Sequence, residues 1–146
     1  MVYIRIETEI RPTEDVHKVM KAVANLVYVD KPKIEELGRG YKILIIESTD
    51  LSILQPLHDM LRRQRILDTA RSYMYRHKRG EVVTIMVNKQ VAYQGRISLV
   101  EKSSESPLGA ITITISSPQI DKVIDWLAPK TAHGRPLWEI EMPRDV

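Results

Sequence analysis

The sequence predicts an α+β fold in a single domain, residues 1–146, built on an antiparallel or at most mixed sheet with helices packed on one face. Three observations carry that expectation. Segments of strand period and helix period interleave along the whole chain. The first and sixth strand segments alternate apolar and polar residues, which fits an open sheet covered on one side. No linker or low-complexity stretch divides the 146 residues, a length that suits one core.

The elements follow in order. In residues 2–11, Val2, Ile4, Ile6, Thr8 and Ile10 face one way and Tyr3, Arg5, Glu7, Glu9 and Arg11 the other. Pro12 ends that strand. Thr13 is the expected cap of a helix with Glu14 and Asp15 in its first turn and Val16, Val19, Met20, Val23, Leu26 and Val27 on its buried stripe. Lys33–Leu37 reads as a short strand, Gly38-Arg39-Gly40 as a turn, and Tyr41–Glu47 as a strand. Ile43–Ile46 is apolar on both faces, which implies a central position or a subunit contact.

A helical region starts near Asp50, with Leu54, Leu57 and Leu61 on one face. Leu67, Ala70, Tyr73 and Met74 do not continue that stripe at 100° per residue. Two helices or a sharp kink follow, with the break near Arg63-Gln64-Arg65 and Gly80 ending the second piece. Val82–Val87 is another strand apolar on both faces. Asn88 caps a short turn that Gly95 closes, Arg96–Glu101 returns as a strand, and Ser103–Gly109 is a turn-rich connection. Ala110–Ser116 alternates again. Ser117 and Pro118 open a helix with Ile120, Val123, Ile124 and Leu127 buried, Pro129 stops it, and Leu137–Met142 is the expected last strand.

Charge is segregated along this framework. His58–Lys102 holds ten Lys/Arg and four Asp/Glu, while the segments before and after it are slightly acidic. Leu61–Arg79 is densest, with six Arg and one Lys against Asp68 alone. A clustered cationic field attracts polyanions, and guanidinium forks suit phosphate oxygens. The candidate phosphate contacts are Arg62, Arg63, Arg65 and Arg71 around the helix break, Arg76, Lys78 and Arg79 beyond it, and Lys89, Gln90 and Arg96 on the neighbouring turn. Tyr75 is the better candidate for stacking on an unpaired base, and Tyr73 is expected in the core.

Other chemistries find little support. No Cys is present, which excludes disulfides and thiolate chemistry. His17, His58, His77 and His133 lack metal-ligand spacing, and no phosphate-binding glycine loop occurs. Asp121 and Asp125 share a helix face, a pattern that more often means solvated carboxylates than a metal site. No cofactor and no metal are expected. No apolar run approaches a membrane span and the N-terminus lacks a signal-peptide pattern, so a cytoplasmic protein is the expectation.

Several motifs carry a family resemblance. They are Glu9–Val16 (EIRPTEDV), Leu61–Arg71 (LRRQRILDTAR), Val87–Arg96 (VNKQVAYQGR), Glu105–Gly109 (ESPLG) and Ile124–Thr131 (IDWLAPKT). In this order they resemble an uncharacterised archaeal family described as predicted RNA-binding. The resemblance implies a fold like that of the large-subunit ribosomal protein that contacts 5S rRNA. It implies RNA as partner, structured or ribosomal, and no catalytic residue. The expectation is therefore a non-catalytic RNA-binding protein, and the two-sided strands add a homodimer to it. The rival readings are a dimeric scaffold or protein-interaction module meeting an acidic partner, and an enzyme on a nucleotide or phosphorylated metabolite with Asp68 or His77 as acid–base.

Overall fold

A computed structural model of the chain describes all of residues 1–146. In chain order the elements are β1 (Tyr3–Ile10), α1 (Val16–Leu26), β2 (Lys33–Gly38), β3 (Tyr41–Ser48), a 3-10 turn (Leu51–Leu54), α2 (Gln55–Arg63) and α3 (Leu67–Arg76). Then come β4 (Lys78–Arg79), β5 (Val82–Asn88), α4 (Lys89–Tyr93), a 3-10 turn (Ser103–Glu105), β6 (Ala110–Ser116), α5 (Ile120–Leu127), β7 (Thr131–Ala132) and β8 (Arg135–Pro136). The main sheet has six strands in the order β2-β3-β1-β6-β5-β4, and every pairing is antiparallel.

The alternating strands form the centre of this sheet because their period of two places one row of side chains on each face. Ile4, Ile6 and Ile10 of β1 and Ile111, Ile113 and Ile115 of β6 lie on the inner face and are buried under the helices. Thr8 shares that face, and its hydroxyl donates to the Ala110 carbonyl at 3.0 Å, so burial leaves no polar atom unpaired. The other face is open. Its centre is Arg5, Glu7 and Glu47, joined by ion pairs of 3.3 Å, with Thr112 and Thr114 beside them. The two-sided strands β3 and β5 both lie inside the sheet, and Ile43 and Ile45 of β3 fall on its open face, opposite Glu9 and Glu7 of β1.

The helix break falls where the change of stripe put it. Arg65 adopts φ 58°, its N–H donates to the Arg62 carbonyl at 3.0 Å, and the Ile66 N–H donates to the Leu61 carbonyl at 3.0 Å. These two bonds around a left-handed residue are a Schellman end for α2. After the turn, α3 buries Leu67, Ala70, Tyr73 and Met74.

Five local expectations are corrected. Ser117 and Pro118 precede α5 instead of opening it: Gln119 is at the N-cap position, and the Ser117 hydroxyl accepts the Gln119 N–H at 3.0 Å. Asp15, not Thr13, caps α1, accepting from the His17 N–H at 2.8 Å, while Glu14 bonds back to the Arg11 N–H. Gly80 does not end α3, which stops at Arg76; with φ +61° it opens the two-residue hairpin loop between β4 and β5, where a side chain would be strained. Arg96–Glu101 is not a full strand: it runs beside β5 through one bridge, Val87 to Leu99, and two further backbone bonds. Leu137–Met142 forms no strand. The hairpin β7–β8 precedes it, with His133 and Gly134 both at positive φ. His-Gly is a rare pair for such a turn, so the sequence signal was weak.

Candidate nucleic-acid interface

The basic block divides once its partners are counted in space. Arg62 forks onto Glu139 through Nε at 2.9 Å and Nη2 at 2.6 Å. It also donates to the carbonyls of His58, Leu127 and Trp126. Arg71 donates to Asp125 at 2.8 Å and to the Ala128 carbonyl at 3.0 Å. Arg76 pairs with Glu101 and Lys78 with Asp121. Lys89 is buried, with Nζ 2.6 Å from the carbonyl oxygens of Glu9 and Leu108 and 3.1 Å from Glu14. Arg62, Arg71 and Lys89 thus tether separate elements to one another. Asp121 and Asp125 hold basic side chains, and no cluster of His, Asp or Glu has the form of a metal site.

Four cations and one amide of the expected set remain: Arg63, Arg65, Arg79, Gln90 and Arg96, all exposed. None of the four cations has a carboxylate within 4 Å. Arg79 sits on the β4–β5 hairpin, and its guanidinium donates to the Arg76 and Lys78 carbonyls. The ten residues of α3 separate it from Arg65, a span of about 15 Å.

Arg63, Arg65 and Arg96 come together through a residue the sequence reading passed over. Gln64 is the C-cap of α2, and its side chain grips the backbone of Ile97 at both ends: Nε2 donates to the Ile97 carbonyl at 3.1 Å, and Oε1 accepts the Ile97 N–H at 2.6 Å. Arg63 and Arg65 flank one side of that clamp and Arg96 the other. The Arg96 side is itself a Schellman end. Gly95 (φ +80°) donates to Ala92 at 2.9 Å, and the Arg96 N–H donates to Val91 at 3.2 Å. Two helix ends stitched by one amide therefore present three unpaired guanidiniums. A glutamine between two arginines carries no sequence signal of this role; only its partner 33 residues away reveals it.

The corner continues toward α1. Asn25 donates to the carbonyls of Ala92 and Tyr93, tying α4 to α1, and the Lys21 ammonium lies 4.7 Å over the Tyr93 ring. Tyr73 is core: its hydroxyl donates to the Val100 carbonyl at 2.6 Å and accepts the Met86 N–H at 3.1 Å, and burial raises its pKa. Tyr75 is half-exposed beneath Arg71, whose guanidinium is 5.2 Å from the ring. His77, one acid–base candidate, has both ring nitrogens engaged, with Tyr73 O at 2.8 Å and Glu101 at 2.9 Å. Asp68 is exposed on the first turn of α3. No helix is long and apolar enough to cross a membrane.

Comparison with known proteins is consistent from end to end. A family model described as RNA binding matches residues 3–117. A UPF0201 protein of Metallosphaera sedula is 47% identical over 145 residues, which are 99% of this chain and 100% of that one. One from Aeropyrum pernix is 49% identical over 97% of this chain and 95% of its own length. Among solved structures, the UPF0201 protein of Methanococcus jannaschii superposes with a TM-score of 0.82 at 27% identity, covering 92% of this chain and 98% of that chain.

Proposed function

The chain belongs to the archaeal UPF0201 family, whose family model is described as RNA binding, and from that premise we propose that it binds RNA through the corner formed by Arg63, Arg65 and Arg96. The observation that carries this reading is the contrast within the basic block. Arg62, Arg71, Arg76, Lys78 and Lys89 each meet a carboxylate, whereas these three guanidiniums project from a clamped junction with none. Unpaired, exposed guanidiniums keep their full capacity for bidentate phosphate contact. The open sheet face is a poorer candidate, because its two arginines are already engaged, Arg5 by Glu7 and Glu47 and Arg11 by Glu9. Recognition rests on phosphate positions and shape, with a structured RNA as ligand and no chemical step, and Gln90 and Arg79 extend the contact as a flank and a second, separate point. A fold akin to the ribosomal protein that contacts 5S rRNA, and a cytoplasmic location, belong to the same proposal.

The test is RNA retention by Arg63→Ala/Arg65→Ala/Arg96→Ala beside Arg76→Ala, which removes a paired arginine. Loss in the triple variant with retention in the single one is the expected result. Equal retention by both would remove the corner from the mechanism.

The homodimer stays within the proposal on different grounds from the two-sided strands. The edge strand β2 is exposed along all six residues, and Ile34 and Leu37 of β2, Tyr28 and Tyr41 lie exposed on or beside it. An unpaired sheet edge carrying exposed apolar side chains is a template for a second strand. Sedimentation of the chain against Ile34→Lys checks it, with a monomeric variant expected.

A further inference from the structure

Beside the arginine corner lies a groove of about 590 Å³ between α1 and α4, within the range of small-ligand sites. Its wall is apolar, formed by Val19, Ala22, Leu108 and the ring of Tyr93. Its floor is neutral, because Lys89 and Glu14 pair there with side chains only 4% and 7% exposed. On its rim stand the amides of Gln90 and Gln94, both exposed and neither engaged in a hydrogen bond within the chain. Its border carries both signs of charge: Lys18 and Asp15, whose carboxylate accepts the His17 N–H, line one side, and Lys21 lies over Tyr93. Gln94 and Gly95 lead directly from the groove to Arg96.

We infer that this groove receives a single unpaired base of the bound RNA while the arginine corner holds the flanking phosphates. The assignment rests on the RNA-binding reading of the corner. A charge-neutral slot with an apolar, partly aromatic wall matches a base ring and not a phosphate. Free amides at its lip match the donor and acceptor edge of a base. The adjoining cations match the sugar–phosphate chain that must enter and leave. The slot is also held open before any ligand arrives. The Lys89 ammonium joins β1 at Glu9, the turn before α1 at Glu14 and the loop at Leu108 to α4, and Asn25 fixes the far end of α4. Such pre-organisation lowers the ordering cost of binding.

The test uses the full chain and two RNA hairpins, one fully paired and one carrying a single bulged 2-aminopurine. The expected result is binding of the bulged hairpin at least about tenfold tighter than the paired one, with quenching of the 2-aminopurine fluorescence. Tyr93→Leu and, on an exposed residue outside the arginine corner, Gln94→Ala should each abolish that preference while keeping the affinity for the paired hairpin. Arg63→Ala/Arg65→Ala/Arg96→Ala should weaken both hairpins alike. Equal affinities without quenching, or a preference that survives in both groove variants, would overturn the groove assignment and leave the corner standing. Absence of binding to either hairpin would overturn the groove together with the RNA reading beneath it.

Discussion

Arg65 holds a backbone conformation that costs an L-residue about 1–2 kcal/mol, at the C′ position where glycine is usual. The negative helix end of α2 favours its charge by only about 0.5 kcal/mol, so the conformational cost exceeds that gain. Arg65→Gly is therefore expected to raise stability by about 1 kcal/mol and to weaken RNA binding, read as a higher urea midpoint at constant m-value and a larger Kd. Arg62 is the opposite case. Its fork on Glu139 and three carbonyls fastens the C-terminal segment to α2 and α5, so Arg62→Ala should cost about 2–3 kcal/mol through orphaned partners and leave RNA contacts in place. The pair Lys89–Glu14 gives a pH signature. Burial lowers the Lys89 pKa against the opposing pull of Glu14. A depressed lysine means the unfolded chain binds the proton more readily. Stability should then rise as pH climbs through the folded pKa toward the ordinary lysine range, and that alkaline rise should vanish in Lys89→Met/Glu14→Gln. Lys89→Met alone should cost about 3–5 kcal/mol, because it strands a buried carboxylate.

The junction of α2, α3 and α4 depends on one side chain. Gln64→Ala leaves the Ile97 N–H and carbonyl without their partner and is expected to cost about 1–3 kcal/mol. It should also lower RNA affinity without removing any cation, since Arg96 loses its fixed relation to Arg63 and Arg65. Hydrogen exchange at Ile97 checks the first effect and RNA titration the second. Unchanged protection at Ile97 would mean that the backbone bonds of residues 98–100 to β5 suffice to hold the segment. Most of these elements were legible from period alone. The stripe mismatch between Leu61 and Leu67 located the break of α2 and α3 because 100° per residue is a strict geometric constraint. Leu137–Met142 misled for the converse reason: short alternation is a strand only where another strand is in reach to pair with it, and there none is.

For the molecule as a whole, the salt dependence of RNA affinity measures how many cations act. The three phosphate contacts of the corner give a log–log slope of about −2, and Arg79 would bring it to about −3, whereas the nine cations of the candidate set acting together would give about −6. A titration across ionic strengths distinguishes the two, and a flat response would exclude phosphate contact. The shallow slope is expected because folding brings acids onto the block. Glu101 lies at the end of that same block, but Asp121, Asp125 and Glu139 come from the C-terminal segment and Glu14 from the N-terminal one. Each meets a base that looked unopposed along the chain.

The sequence by itself determined the class of the fold, the central alternating strands, the helix break at Arg63–Arg65 and membership of a family whose model is described as RNA binding, because period, turn residues and ordered motifs are local properties of the chain. The tertiary structure decided which cations are free. Pairing of charges depends on distance in space, and the carboxylates that neutralise Arg62 and Arg71 lie 77 and 54 residues away. The same holds for the glutamine that joins Arg63 and Arg65 to Arg96, whose role exists only where the backbone of Ile97 passes beneath it.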